Sequence, residues 1–159
     1  MIRQLLWLSI NAIVGCKFWR VRSLSTQALA DWLADPTQPP PLLLDTRTLA
    51  EYHVSHLAGA HWQDPNANEF PELASLDRDT PIVAYCSVGY RSGRVAQRLQ
   101  QAGFTQVYNL RGSIFQWANE GRSLTAGADR QPTRVVHPYN RFWGQLLKPE
   151  LQAPEAIAP

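Results

Sequence analysis

One cysteine stands where it could act as a nucleophile. Cys86 ends the apolar run Ile82-Val83-Ala84-Tyr85 and is followed by Ser87-Val88-Gly89-Tyr90-Arg91-Ser92. The run is rich in β-branched and aromatic residues, as a strand buried on both faces should be. Beyond the loop, Val95, Ala96, Leu99 and Ala102 recur at helical spacing, while Arg94, Arg98 and Gln101 fall on the other side. Ser92 is the expected N-cap, and Gly103 the expected residue just past the helix end. Cys86 should therefore lie at the carboxyl end of a strand, where open α/β sheets hold their ligands. It should also face a helix N-terminus, whose free N–H groups and dipole favour a thiolate. Gly89 is free to take φ > 0, which turns successive N–H groups inward, and Arg91 adds a charge that does not titrate. Such a cradle around a low-pKa thiol suits attack on, or carriage of, an anionic group. The competing reading, a buried structural cysteine, gives Gly89, Arg91 and the helix start no role.

The elements that must position this loop follow from the rest of the pattern. Trp19 to Leu24 reads as a first strand, and Ser25 caps a helix through Ala34 whose apolar face is Ala28, Leu29, Trp32 and Leu33. A proline-rich loop, Asp35 to Pro41, closes that helix. Leu42-Leu43-Leu44-Asp45 is a second buried strand, Thr48 to Tyr52 a helical turn, and His56 to Trp62 leads through Gly59 into a short strand. Pro71 to Leu76 reads as a short helix, Gln106 to Leu110 as a strand, and Ser113 to Asn119 as a helix ending at Gly121. Strands alternating with helices imply an α/β fold with a mostly parallel sheet covered on both faces.

Composition bounds the partners. A chain of 159 residues has room for one domain with a real core, and its net charge of +2 implies no particular partner. Residues 25–90 hold nine acidic and two basic residues, and residues 91–148 hold nine basic and two acidic ones. The positive half begins at the cysteine loop, so a field that concentrates small anions is expected there. No basic run with interleaved aromatics appears, so nucleic acid is not an expected partner. Two cysteines make no disulfide framework, and the four histidines lack metal-ligand spacing, so no metal site is indicated.

Leu44-Asp45-Thr46-Arg47, Glu51-Tyr52, His56-Leu57-Ala58-Gly59-Ala60 and Cys86 to Ser92 together resemble the rhodanese-like sulfurtransferases. The likeness runs from Ser23 to Arg122 and keeps the separated motifs in order. It implies a central parallel sheet of about five strands with helices on both faces. It also implies that Cys86 carries sulfur as a persulfide cradled by Ser87, Val88, Gly89, Tyr90, Arg91 and Ser92. The donor would be a small anion such as thiosulfate, the acceptor a thiol or a protein, with no metal or organic cofactor. Asp45 and Arg47 would support the loop, more as a structural cluster with Glu51 than as direct participants. His56 is expected to be structural, Tyr90 to line the pocket mouth, and Trp117 to be core. Ala58 stands where the family often has proline, and Gly112-Ser113 where it often has two glycines. Neither departure is expected to touch the chemistry.

Three other readings share the loop: a phosphatase or arsenate reductase of related fold, a non-catalytic scaffold, and a sulfur-relay partner in tRNA thiolation. The related phosphatases resemble this chain but have a loop one residue longer. Four residues separate Cys86 from Arg91, a ring suited to one persulfide sulfur rather than a phosphoryl group.

The ends stand apart from residues 19–124. Within residues 1–18, Leu5 to Val14 is apolar but for Ser9 and Asn11, and too short to span a bilayer as an isolated helix. The expected protein is cytoplasmic, with an N-terminal helix that lies on the domain or a membrane surface through Ile2, Leu5, Leu6 and Ile13. The alternative is an export-signal core, read through Ile13-Val14-Gly15-Cys16 as a lipobox that anchors an exported lipoprotein at Cys16. Residues 125–159 form an arm and an Ala/Pro-rich tail expected to fray after Pro149. The arm's aromatic segment, Val135 to Gly144, is expected to pack on the domain rather than dock a sulfur donor or acceptor.

Overall fold

Short apolar runs separated by helices return to the sheet by crossovers, which makes neighbouring strands parallel. The computed structural model describes residues 2–127 and 129–154. Its strands β1 (Arg22–Leu24), β2 (Leu42–Asp45), β3 (His61–Trp62), β4 (Ile82–Tyr85) and β5 (Val107–Leu110) form one sheet. Their order is β1-β5-β4-β2-β3 and every pairing is parallel. The helices are α1 (Ile2–Lys17), α2 (Thr26–Ala34), α3 (Leu49–Val54), α4 (Tyr90–Gln101) and α5 (Ser113–Asn119). The expected α/β architecture is the observed one.

Successive strand residues feed opposite cores, as pleating requires. Leu43, Val83 and Tyr85 join Leu29 of α2 and Ile114, Phe115 and Trp117 of α5 on one face. Leu44 and Ile82 join Val95 and Leu99 of α4 on the other. α1 touches both: Leu6 and Trp7 pack on the first core, Val14 and Phe18 belong to the second, and Ile10 meets both. The helix therefore lies across one end of the sheet. Its inward stripe differs from the expected one, since Leu5 and Ile13 are exposed and the Ile2 side chain lies outside what is described. Phe18 lies so flat on α4 that a Cβ at Gly93 would overlap its ring. Cys16 is exposed in the last turn of α1. Among the described residues, no helix is long and apolar enough to cross a membrane.

The first strand is shorter than expected, because a turn after α1 bonds Val21 N–H to Phe18 O at 2.9 Å and leaves Trp19 exposed. The helix expected at residues 71–76 is a single 3-10 turn, Pro71–Leu73. At its far end α4 terminates as expected, with Gly103 at φ 97° and the Phe104 N–H donating to Leu99 O at 3.1 Å.

Beyond α5, β6 (Leu124–Ala126) and β7 (Gln131–Thr133) form an antiparallel hairpin tied to the domain by the His56–Thr125 bridge. A short helix, α6 (Arg141–Gly144), follows. The arm packs on the domain, burying Val136, Leu146, Leu147, Leu151 and Ala153 in or beside the first core. The tail is not frayed directly after Pro149: residues 149–151 form a 3-10 turn, and Gln152 bridges Val136. Residues 155–159 lie outside the described residues.

Candidate active site

β4 delivers Cys86 to the carboxyl end of the sheet, and the thiol is buried. Gly89 then takes φ 109° and is itself the N-cap of α4, so the helix begins at Tyr90 rather than after Ser92. Only glycine adopts that backbone conformation freely, and the sharp turn aims the Gly89 N–H at Cys86 Sγ, 3.1 Å away. The Ser92 hydroxyl, expected to cap the helix, donates to Asn109 Oδ1 at 2.7 Å instead. Asn109 Nδ2 in turn donates to Gly89 O at 2.8 Å. β5 thus pins both ends of the turn through one side chain.

α5 holds the front of the loop. Ile114 and Phe115 donate their N–H groups to Cys86 O and Ser87 O, at 3.1 and 3.2 Å. Ser113, at φ 48°, accepts the Cys86 N–H at 3.1 Å and donates to Leu110 O at 3.0 Å. The Gly112-Ser113 departure therefore does touch the loop: its hydroxyl fixes the backbone of the cysteine.

The electrostatics rest on two ion pairs rather than one cluster. Arg47 pairs with Asp45 through Nε at 2.9 Å, both fully buried beneath the loop, where Asp45 is in register with Tyr85. Burial opposes the Arg47 charge, but Asp45 overrides it and holds the pKa above its ordinary value. Glu51 faces Arg91 instead, in a two-pronged pair at 2.7 and 2.8 Å. It also accepts from Ser87 Oγ at 3.1 Å and from Thr48 N–H at 3.0 Å, the latter within a capping box. Burial pushes the Glu51 pKa up, yet the hydrogen bonds and charge of Arg91 bring it down to about 2. For Cys86, burial likewise favours the neutral thiol. The Arg91 charge and the Ser92 and Gly89 amides outweigh it, so the pKa lies below the ordinary thiol value. The Ser92 hydroxyl also neighbours the sulfur, but its single proton is committed to Asn109.

At the loop itself Glu51 pairs with Arg91, so the first cation of the basic half is answered by a carboxylate. Arg91 steadies a thiolate without giving the site a net positive charge. Tyr90 lies at the pocket edge, with its ring edge-on to Phe18 at 5.5 Å and Lys17 Nζ 5.0 Å from its centroid. His56 stacks on Tyr52 at 4.0 Å and its Nδ1 meets Tyr52 O at 3.0 Å, a structural role. Trp117 is core, with Nε1 donating to Ser123 O at 3.0 Å. Among the described residues, no group of three His, Cys, Asp or Glu could hold a metal ion.

A cavity of about 380 Å³ opens onto the loop. Its floor is Cys86 with Ser87 and Val88, and its walls come from outside the sheet: Ile10, Ile13 and Val14 of α1, and Tyr139 and Trp143 of the arm. The Tyr139 ring lies 4.9 Å from the Arg91 guanidinium carbon. Neither wall was recognised from sequence. Nor were the Arg91 partner Glu51 and the loop clamp Asn109, although Thr48-x-x-Glu51 is legible as a capping box.

A buried, thiolate-favouring cysteine at a strand end, beside backbone amides and an arginine, has the surroundings that a cysteine nucleophile in an α/β domain requires. Residues 25–120 match the model of the rhodanese-like domain, and the chain belongs to that family. It is 32% identical over 112 residues to a sulfurtransferase of Allochromatium vinosum, covering 67% of this chain and 96% of that protein. It is 30% identical over 99 residues to a Mycobacterium tuberculosis protein named probable adenylyltransferase/sulfurtransferase MoeZ, covering 62% of this chain but only 25% of that protein. Among solved structures, the thiosulfate sulfurtransferase of Pseudomonas aeruginosa superposes with a TM-score of 0.58 at 27% identity, over 67% of this chain and 20% of that one. These relationships make the chain a sulfurtransferase in the general sense.

Proposed function

We propose that the chain moves sulfane sulfur from thiosulfate or a related donor to a thiol or protein acceptor through a Cys86 persulfide. The observation that carries this is the Gly89 N–H aimed at Cys86 Sγ at 3.1 Å, in a loop where Arg91 favours the thiolate. In the first half-reaction the thiolate attacks the outer sulfur of thiosulfate. The sulfur–sulfur bond of the donor breaks, its electron pair leaves with sulfite, and Cys86–S–S⁻ remains. In the second, a nucleophilic acceptor takes the terminal sulfur and the Cys86 thiolate is regenerated. One transfer is divided into two, with no change in net charge at either step.

The inward amides suit a single terminal sulfur. A phosphoryl group needs donors spread around three oxygens, and misplacement by about 1 Å can cost roughly a hundredfold in rate. The loop's four intervening residues favour the smaller cargo. Purified protein with thiosulfate and cyanide should release thiocyanate, and Cys86→Ser should not. Faster turnover of an aryl phosphate than of thiosulfate would overturn the assignment.

A further inference from the structure

The walls over Cys86 bear on which donor the loop meets. Of the residues lining the chamber, Arg91 is the only cation, and Glu51 holds it in a two-pronged pair. Lys17, resting on the Tyr90 ring, is not among the lining residues. A dianion entering here gives up water without gaining an unpaired cation. The chamber is also lined by Ile10, Ile13 and Val14 of α1 and Trp143 of the arm, two segments that meet through Arg3 Nε donating to Gln145 O at 3.2 Å. At about 380 Å³ the chamber is in the range that holds an organic ligand, with apolar walls and a few polar groups at one end. That is more room than a five-atom anion such as thiosulfate fills.

We infer that this chamber selects a singly charged organic sulfur donor with an apolar body, of the thiosulfonate type R–SO₂–S⁻, over inorganic thiosulfate. The inference rests on the reading of Cys86 as the sulfur carrier. In the step, Cys86–S⁻ attacks the outer sulfur and forms Cys86–S–S⁻. The bond from that sulfur to SO₂R breaks, and its electron pair leaves as the sulfinate R–SO₂⁻. Charge and atoms balance, and no oxidant or reductant is needed. The leaving group carries one charge, against two for sulfite, which matches a site whose arginine is already paired. R lies along Ile10, Ile13 and Trp143 while the sulfur reaches the Gly89 amide.

The test uses the full chain and sodium alkanethiosulfonates from methyl to pentyl, which share one reacting group, with thiosulfate as the reference. Loading of Cys86 is followed by intact mass and by sulfinate or sulfite release, each rate divided by that of the same donor with a small free thiol. Burying one more methylene should raise the normalised kcat/KM by about fourfold until the chamber is full. The butyl donor should exceed the methyl donor by on the order of fiftyfold, and exceed thiosulfate as well. Ile13 is 60% exposed at the rim, so Ile13→Asp should fold, as circular dichroism checks, and should flatten this chain-length slope. A wild-type slope that is flat or falling, or a faster reaction with thiosulfate than with the butyl donor, overturns the inference while Cys86 loading leaves sulfur transfer standing. No loading of Cys86 by any donor overturns the functional reading together with it.

Discussion

Glu51 is the point at which the loop's electrostatics can be taken apart. Its carboxylate is buried and answers Arg91, Ser87 and the Thr48 N–H together. Its pKa falls from 4.5 to about 2 in the folded chain. A depression of that size corresponds to about 3 kcal/mol of stability at neutral pH, since one unit is about 1.4 kcal/mol. A carboxyl group depressed on folding contributes fully above its unfolded pKa. The contribution is lost as pH falls from about 4.5 through about 2. About 2 kcal/mol of it should be gone by pH 3. Glu51→Gln keeps the shape and removes the charge, so urea denaturation should show a loss of about 3 kcal/mol at pH 7. At pH 3 the same comparison should narrow to about 1 kcal/mol, because only the wild type titrates at this position. Tryptophan fluorescence is a suitable signal in a chain with six tryptophans. A wild-type–mutant difference that stays constant between pH 7 and pH 3 would refute the assignment of this ion pair.

Asn109→Ala leaves the buried Ser92 hydroxyl without its partner and Gly89 O with only the Gly93 N–H, so it should cost about 1–3 kcal/mol and slow sulfur transfer. A thermal melt and a thiocyanate assay check both, and unchanged values would remove Asn109 as the loop clamp. Gly93→Ala gains about 1 kcal/mol of helix propensity but drives a methyl into the Phe18 ring. Hydrogen exchange at residues 14–18 should accelerate, and unaltered protection there would show that α1 does not rest on α4. Alkylation of Cys86 should reach half its maximal rate below the ordinary thiol pKa. Arg91→Ala should move that midpoint upward, since burial favours the neutral thiol and only the Ser92 and Gly89 amides then oppose it. An unmoved midpoint would deny Arg91 its part in holding the thiolate.

What the sequence reveals follows the range of each interaction. β4, Cys86 and α4 are legible because a buried strand, a glycine turn and an amphipathic helix are each encoded by near neighbours. The assignment of Ser92 as N-cap fails because its hydroxyl answers Asn109, 17 residues away, and Gly89 starts the helix by backbone conformation alone. Glu51 and Arg91 lie 40 residues apart and share no periodicity, so their pairing has no sequence signal beyond the capping box that fixes Glu51. α1 carries apolar residues on two stripes, Leu6, Trp7, Ile10 and Val14 against Leu5, Leu8 and Ile13. Periodicity marks both and cannot choose between them; contact with the two cores does. The β6–β7 hairpin is hidden for a different reason: its strands are three residues each, and one contains Pro132.

The central claim is that Cys86 bears the transferred sulfur, and mass mapping of the loaded protein tests it most directly. After treatment with excess donor and removal of small molecules, the peptide containing Cys86 should carry one additional sulfur. The peptide containing Cys16 should carry none, and adding cyanide should discharge the sulfur as thiocyanate. Thiocyanate production by wild type with no sulfur ever found on Cys86, or undiminished production by Cys86→Ser, would contradict the account.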